Sequence, residues 1–253
     1  MNIPHITNRQ QDILLLLYRF RFLNRTQIQL LLHHKNTKSI NTWLKDLTDK
    51  KYIERIINDQ SKLNNIPTIY YLSLNAIKFL KTQSSCKTEY ITKLYKEKTR
   101  SEQFINKCLF IADIYLYLLN KYGNTSYFVF FTQSDFTPTS IVKEIFPHFV
   151  FRKVAGQPFF VAEIFSGITP RFAIRARITK YITFFTQGNW IKKEKVPNIL
   201  LICPDDKMKK FIIKFTKTII EEETTDINFF VTVADMITKQ TIEGQIWQKV
   251  SLE

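Results

Sequence analysis

Three helix-start signals fall within the first 37 residues, and they constrain this chain more than any other feature. Thr7-Asn8-Arg9-Gln10 and Asn24-Arg25-Thr26-Gln27 each place a short polar side chain three residues before a glutamine. In this capping-box pattern the two residues satisfy each other's orphan backbone N–H groups. Asn36 or Thr37 supplies a third cap, because a short polar side chain accepts from the free donors of a first helical turn. Behind each start, apolar residues recur at helical spacing: Ile13, Leu14, Leu17 and Tyr18; then Ile28, Leu31 and Leu32; then Ile40, Trp43, Leu44 and Leu47. The spacing predicts helices over 7–20, 24–32 and 36–52, the second of them short.

The third helix is the informative one. Its apolar stripe leaves Lys38, Asn41, Thr42 and Lys45 facing water, and these residue types bond phosphates and base edges in a major groove. The solvated face of an ordinary amphipathic helix has the same composition, so the flanks decide between the two readings. Residues 52–57 are β-branched and alternate apolar with charged, 59–65 carry turn chemistry with Lys62 at the middle, and 67–72 form a second apolar strand. A hairpin directly after three short helices predicts a winged helix-turn-helix, closed by a short helix over 75–81 with Ala76, Ile77 and Leu80 inward. In that reading 24–32 buttresses the third helix, Arg25 and Lys35 hold phosphates, and Lys62 reaches the neighbouring groove or backbone. Asn41 is the expected base reader, since its amide matches adenine N6 and N7.

Charge supports a polyanionic partner. The 253 residues hold 37 Lys+Arg against 22 Asp+Glu, a net charge of +15, a balance that favours nucleic acid through counterion release. Double-stranded DNA is therefore the first expected partner and an anionic membrane surface the second. Residues 1–88 are the more basic part, with 14 Lys+Arg and 5 Asp+Glu. No apolar run reaches 18 residues, and the N-terminal stretch 13–17 is soon broken by Arg19 and Arg21, which argues against a membrane span or signal peptide. Cys86, Cys108 and Cys203 are far apart and form no CxxC or Cys/His cluster. That usage fits a reducing cytoplasm and neither a disulfide framework nor a zinc site.

The polar run 82–88 reads as a domain boundary, giving a DNA-binding domain over 1–85 and a second domain over 89–253. A long helical stretch, 89–122, precedes predicted strands at 127–132, 145–154 and 158–165. A helix over 170–187, a strand at 198–203, a helix over 207–223 and a strand at 228–233 follow, and 238–253 is ambiguous. This order describes an α/β domain with a mixed central sheet, so the whole chain is of the α+β class. Arg171, Arg175, Arg177 and Lys180 make a second basic cluster, and Arg171 and Arg175, four residues apart, share a helix face suited to gripping phosphates. His5, His33, His34 and His148 are scattered, and no phosphate loop, nucleophile motif or cofactor signature is present.

Residues 9–32 (RQQDILLLLYRFRFLNRTQIQLLL), 41–56 (NTWLKDLTDKKYIERI) and 67–80 (PTIYYLSLNAIKFL) together resemble the replication-relaxation family of conjugative and mobilisable plasmids and integrative elements of Gram-positive bacteria. The resemblance implies a winged helix followed by a restriction-endonuclease-like domain, acting near origins of replication or transfer. Nuclease folds of that class hold a divalent cation with carboxylates on two adjacent strands, in a Pro-Asp then Asp/Glu-x-Lys pattern. Here the corresponding positions are Pro147-His148 and Glu163-Ile164-Phe165. One carboxylate remains, and a Phe stands where the lysine would be, so the expectation is a degenerate, non-catalytic scaffold with no metal, in which Glu163 pairs with an arginine. Two other readings stay open: a metal-dependent nuclease using Glu163, and an interaction module that docks a replication initiator, a relaxase or a second copy of the chain.

Overall fold

The computed structural model describes residues 4–57, 67–137, 142, 144–187, 195–223 and 227–251. They form mixed α+β architecture in two compact units, Met1–Leu116 and Tyr117–Glu253.

In the first unit the capping signals operate as chemistry dictates. Helix α1 (Asn8–Phe20) starts at Thr7, whose N–H donates to Gln10 Oε1 at 2.8 Å while Gln10 N–H donates back to the Thr7 hydroxyl. Helix α2 (Arg25–Leu31) starts the same way, with Gln27 N–H on Asn24 Oδ1 at 2.8 Å and Asn24 N–H on Gln27 Oε1 at 3.0 Å. Helix α3 (Thr37–Asp49) is capped by Asn36, which accepts from Lys38 and Ser39 N–H. It stops three residues short of the expected end. Lys51 adopts a left-handed φ of 57° and donates to Thr48 O at 3.0 Å, while Tyr52 N–H reaches Leu47 O at 2.9 Å, the pairing of a Schellman motif in which lysine occupies the usual glycine position.

Strands β2 (Ile53–Ile56) and β3 (Ile69–Leu72) form the expected antiparallel pair, Ile53 opposite Leu72 and Ile56 opposite Ile69. The segment between α1 and α2, expected as a connection only, is also a strand: β1 (Phe22–Asn24) pairs with the other edge of β3, giving the order β1-β3-β2. Lys62 lies outside the described residues. Helix α4 (Leu74–Leu80) buries Ala76, Ile77 and Leu80.

The expected boundary at 82–88 falls inside this unit, and buried polar contacts explain why the packing continues to Leu116. A short helix α5 (Thr88–Ile91) and a 3-10 segment (Thr92–Thr99) follow. Lys87 N–H donates to the Tyr18 hydroxyl at 2.8 Å, and Arg21, buried at the end of α1, donates from Nε to Glu97 Oε1 at 3.1 Å. Helix α6 (Glu102–Tyr122) places Phe104, Ile105, Cys108 and Leu109 against Phe22, Ile56, Ile69 and Tyr71 of the three-stranded sheet. There Gln27 Nε2 donates to Leu109 O at 2.9 Å and Asp113 Oδ1 at 2.7 Å.

The second unit contains the sheet β4 (Val129–Thr132), β5 (Phe149–Arg152), β6 (Phe160–Ile164), β7 (Asn198–Cys203), β8 (Phe229–Val233) and β9 (Gln248–Lys249), paired in that order among the described residues. The β4-β5-β6 and β8-β9 pairs are antiparallel, whereas β6-β7-β8 are parallel. Helices α7 (Arg171–Thr186) and α8 (Asp206–Glu223) make the two parallel crossovers. Val161, Ile199, Leu201, Phe229 and Val231 bury one sheet face beneath Ile174, Ile178, Tyr181 and Ile182 of α7 and Ile212 and Ile220 of α8. The alternate residues Phe130, Phe149, Phe151 and Phe160 stack on the other face, with neighbouring centroids 4.9–6.3 Å apart. The ambiguous tail resolves into helix α9 (Ala234–Gln240) and the edge strand β9.

Gln27→Ala removes a reciprocal cap and leaves Asp113 without its donor. We expect it to lower unfolding free energy in urea by about 2 kcal/mol, whereas Gln29→Ala, at a half-exposed position of the same helix, changes it by less than about 0.5 kcal/mol.

Candidate nucleic-acid interface

Helix α3 divides cleanly. Ile40, Leu44 and Leu47 are at most 1 % exposed, and Lys38, Asn41, Thr42 and Lys45 are all exposed. Spaced i, i+3, i+4 and i+7, these four occupy one stripe opposite the buried one. Among the described residues no protein side chain bonds the Asn41 amide or the Lys38 and Lys45 ammonium groups. Thr42 donates its hydroxyl to Lys38 O at 3.0 Å, so it offers a methyl and an acceptor rather than a donor. Trp43 lies on the flank, half-buried, its ring edge-on to His34 at 4.9 Å. Lys35 is exposed in the turn before the helix.

Arg25 is half-buried and donates to Gln29 Oε1 at 3.2 Å. It converges with Arg55 on Tyr70: burial pushes the Tyr70 phenol up, and the charges of Arg55 and Arg25 pull the other way. Arg55 is exposed on β2, directly opposite Tyr70 on β3. It belongs with Arg25, whose N–H donates to Thr68 O at 3.2 Å, at the Ile56–Ile69 end of the strand pair. Reasoning from sequence passed over Arg55, although a strand register would have paired it with Tyr70.

In the second unit Glu163 is 6 % exposed on β6. Its Oε2 accepts from Arg177 Nη2 at 2.6 Å and from the Tyr181 hydroxyl at 2.8 Å, and His148 Nδ1 stands 3.1 Å from Oε1. The same His148 nitrogen lies 3.0 Å from the Ile164 N–H. Accepting that bond and donating to Glu163 require opposite protonation at Nδ1, so only one forms at a time. Burial pushes the Glu163 carboxyl up, but His148 and Arg177 outweigh it and hold the group at about 2. The expectation that Glu163 pairs with an arginine holds. Among the described residues no group of three or more His, Cys, Asp or Glu could hold a metal ion.

The basic cluster on α7 is divided by the fold. Arg177 turns inward to Glu163 and to the Phe146 carbonyl at 2.9 Å. Arg171 and Arg175 stay exposed on the flank toward α8, and Lys180 falls on the opposite flank. Arg171 sits over Phe211 with its guanidinium carbon 5.0 Å from the ring centroid, and Arg175 lies 5.6 Å from Phe211 and 5.5 Å from Phe215.

The replication-relaxation family model matches residues 14–196, nearly three quarters of the chain. This chain belongs to the replication-relaxation family. No curated protein and no solved structure matches it. The match in this replication-relaxation protein spans α3, the three-stranded sheet, Glu163 and α7, and stops before β7 and α8. No helix among its described residues is long and apolar enough to cross a membrane.

Because folding holds the Glu163 carboxyl below its ordinary value, the ionised form stabilises the protein above about pH 4.5, and this contribution is lost as pH falls toward 2. Glu163→Gln should therefore be less stable than the parent by about 3 kcal/mol at pH 7. The difference should close in denaturant titrations repeated toward pH 2.

Proposed function

We propose that this replication-relaxation protein is a sequence-specific, double-stranded DNA-binding accessory or regulatory factor of a mobile element, acting in plasmid replication or conjugative transfer. In this reading the first unit is a winged helix. One observation carries the proposal: α3 buries one stripe completely while presenting Lys38, Asn41 and Lys45 with no protein partner among the described residues. The amide and the two ammonium groups align on the free face of a helix followed directly by two antiparallel strands, and that flank favours this reading over an ordinary solvated face. Asn41 reads a base edge, Lys38, Lys45 and Lys35 hold phosphates, and Arg25 with Arg55 supports the backbone contact beside the hairpin. Family membership supports a role in plasmid replication or mobile-element function.

The second unit works without hydrolysis. A nuclease carboxylate must be free to take a divalent cation, whereas Glu163 is held by Arg177, Tyr181 and His148. Phe165, two residues on, is buried at 6 % exposure and offers no charge to orient water. Supercoiled plasmid incubated with the purified protein and Mg²⁺ or Mn²⁺ should stay intact. Cleavage that disappears in Glu163→Gln while the variant remains folded by circular dichroism would assign the site to catalysis.

With duplex DNA from beside its own gene, fluorescence anisotropy should show that Asn41→Ala relaxes preference at one base pair, at a cost of about 1–3 kcal/mol. Lys45→Ala should weaken all sequences alike and reduce the salt slope by about 1. An unchanged preference in Asn41→Ala would remove the base-reading assignment.

A further inference from the structure

We propose that the outer seam of α7 and α8 is a second site that binds single-stranded nucleic acid, with Phe172 as a base-stacking platform and Arg171 and Arg175 as phosphate clamps. The inference rests on the reading that the protein works on DNA, and it concerns a surface that α3 does not include.

The arginines are built into position. Phe211 and Phe215 lie nearly parallel, with an interplanar angle of 9° and centroids 6.4 Å apart, and both guanidinium groups rest on this shelf at 5.0–5.6 Å. Cation–π contact restrains side chains that are otherwise among the most mobile, so less freedom is lost when an anion is gripped. Among the described residues neither arginine has a carboxylate partner. On the helix wheel Lys207 and Lys214 fall just outward of Phe211 and Phe215, and both are exposed. The seam is cationic on both sides.

Phe172 selects the form of nucleic acid. It is 75 % exposed and stands one residue from Arg171, on the outward side of Arg175 by helical phase. Ile168, in the turn before α7, is 69 % exposed. A duplex shields its base faces, so against duplex DNA these apolar groups would remain in water and only the arginines would make contact. A single strand offers both parts at once, phosphates for the cations and an open base face for the ring. An anionic membrane would also accept cations beside exposed apolar groups. Two apolar side chains give little burial there, however, and a fluid surface has no use for arginines held in place against a ring shelf.

The test uses the full chain, a labelled 20-nucleotide oligothymidylate, a duplex from beside the gene, and phosphatidylserine vesicles. Phe172→Ala should weaken oligothymidylate binding by about tenfold and leave duplex binding and thermal unfolding unchanged, since the side chain is exposed. Lys214→Glu should also weaken the oligothymidylate, more so at low salt. Asn41→Ala should show the reverse pattern, affecting the duplex alone. If oligothymidylate does not bind, or binds the variants as well as the parent, while the duplex still responds to Asn41→Ala, the seam proposal fails and the α3 reading stands. If the duplex shows no sequence preference yet oligothymidylate binding still needs Phe172, the seam stands and the α3 reading fails. Equal losses on duplex or on vesicles in Phe172→Ala would overturn the single-strand assignment.

Discussion

A glutamine amide taken out of water must find partners for its carbonyl and both its N–H groups, and in the first unit the arrangement of elements follows from where Gln27 finds them. The side chain is 2 % exposed. Its oxygen closes the cap on α2, and its nitrogen spans to the Leu109 carbonyl and Asp113 on α6. An unmade bond at such a site costs about 1–3 kcal/mol, so the start of α2, the adjoining strand β1 and the middle of α6 are located together. Gln10 repeats the device: its oxygen caps α1, and its nitrogen donates to Asp46 of α3 at 2.5 Å. Asp46 also holds Lys50 at 2.7 Å. Two capping glutamines thus turn local helix starts into tertiary ties, one of which orients α3.

The second unit depends on a comparable bond set around one charge. Glu163 sits in the middle strands of a mixed sheet, where an unpaired carboxylate would be very costly. Arg177 and Tyr181 on α7 meet it from the helix layer and His148 from the approach to β5. The arrangement explains why Arg177 leaves the basic surface of α7, and why Arg171 and Arg175, with no carboxylate partner among the described residues, rest on aromatic rings instead. The buried Glu163 carboxylate thus ties α7 to the sheet.

The parts legible from the sequence were those set by neighbours in the chain. Capping boxes are three residues long, and the stripe on α3 follows from helical phase alone, so both were readable, as was the β2–β3 hairpin. What escaped was decided at a distance. Strand β1 is three residues whose only strand signal is a partner, β3, more than forty positions away. The end of α3 uses lysine in a left-handed conformation, where the usual cue is glycine. The polar run at 82–88 has the composition of a linker, and the contacts that hold its surroundings to α1, from Tyr18 to the Lys87 N–H and from Arg21 to Glu97 and the Lys93 carbonyl, are long-range polar bonds that no periodicity reveals. Among the candidate site residues, Lys38, Asn41, Thr42 and Lys45 were legible as one face. The division of the α7 arginines was not, since it turns on one buried glutamate in another strand.

In the proposed function the free face of α3 reads duplex DNA. Selection of bound duplexes from a random pool by the purified full chain, with the enriched motif compared with DNA flanking its own gene, tests this most directly. The expected result is a short enriched motif that recurs in the flanking DNA and loses one specified position when Asn41 is alanine. Enrichment of no motif, or of a motif indifferent to Asn41, would contradict it.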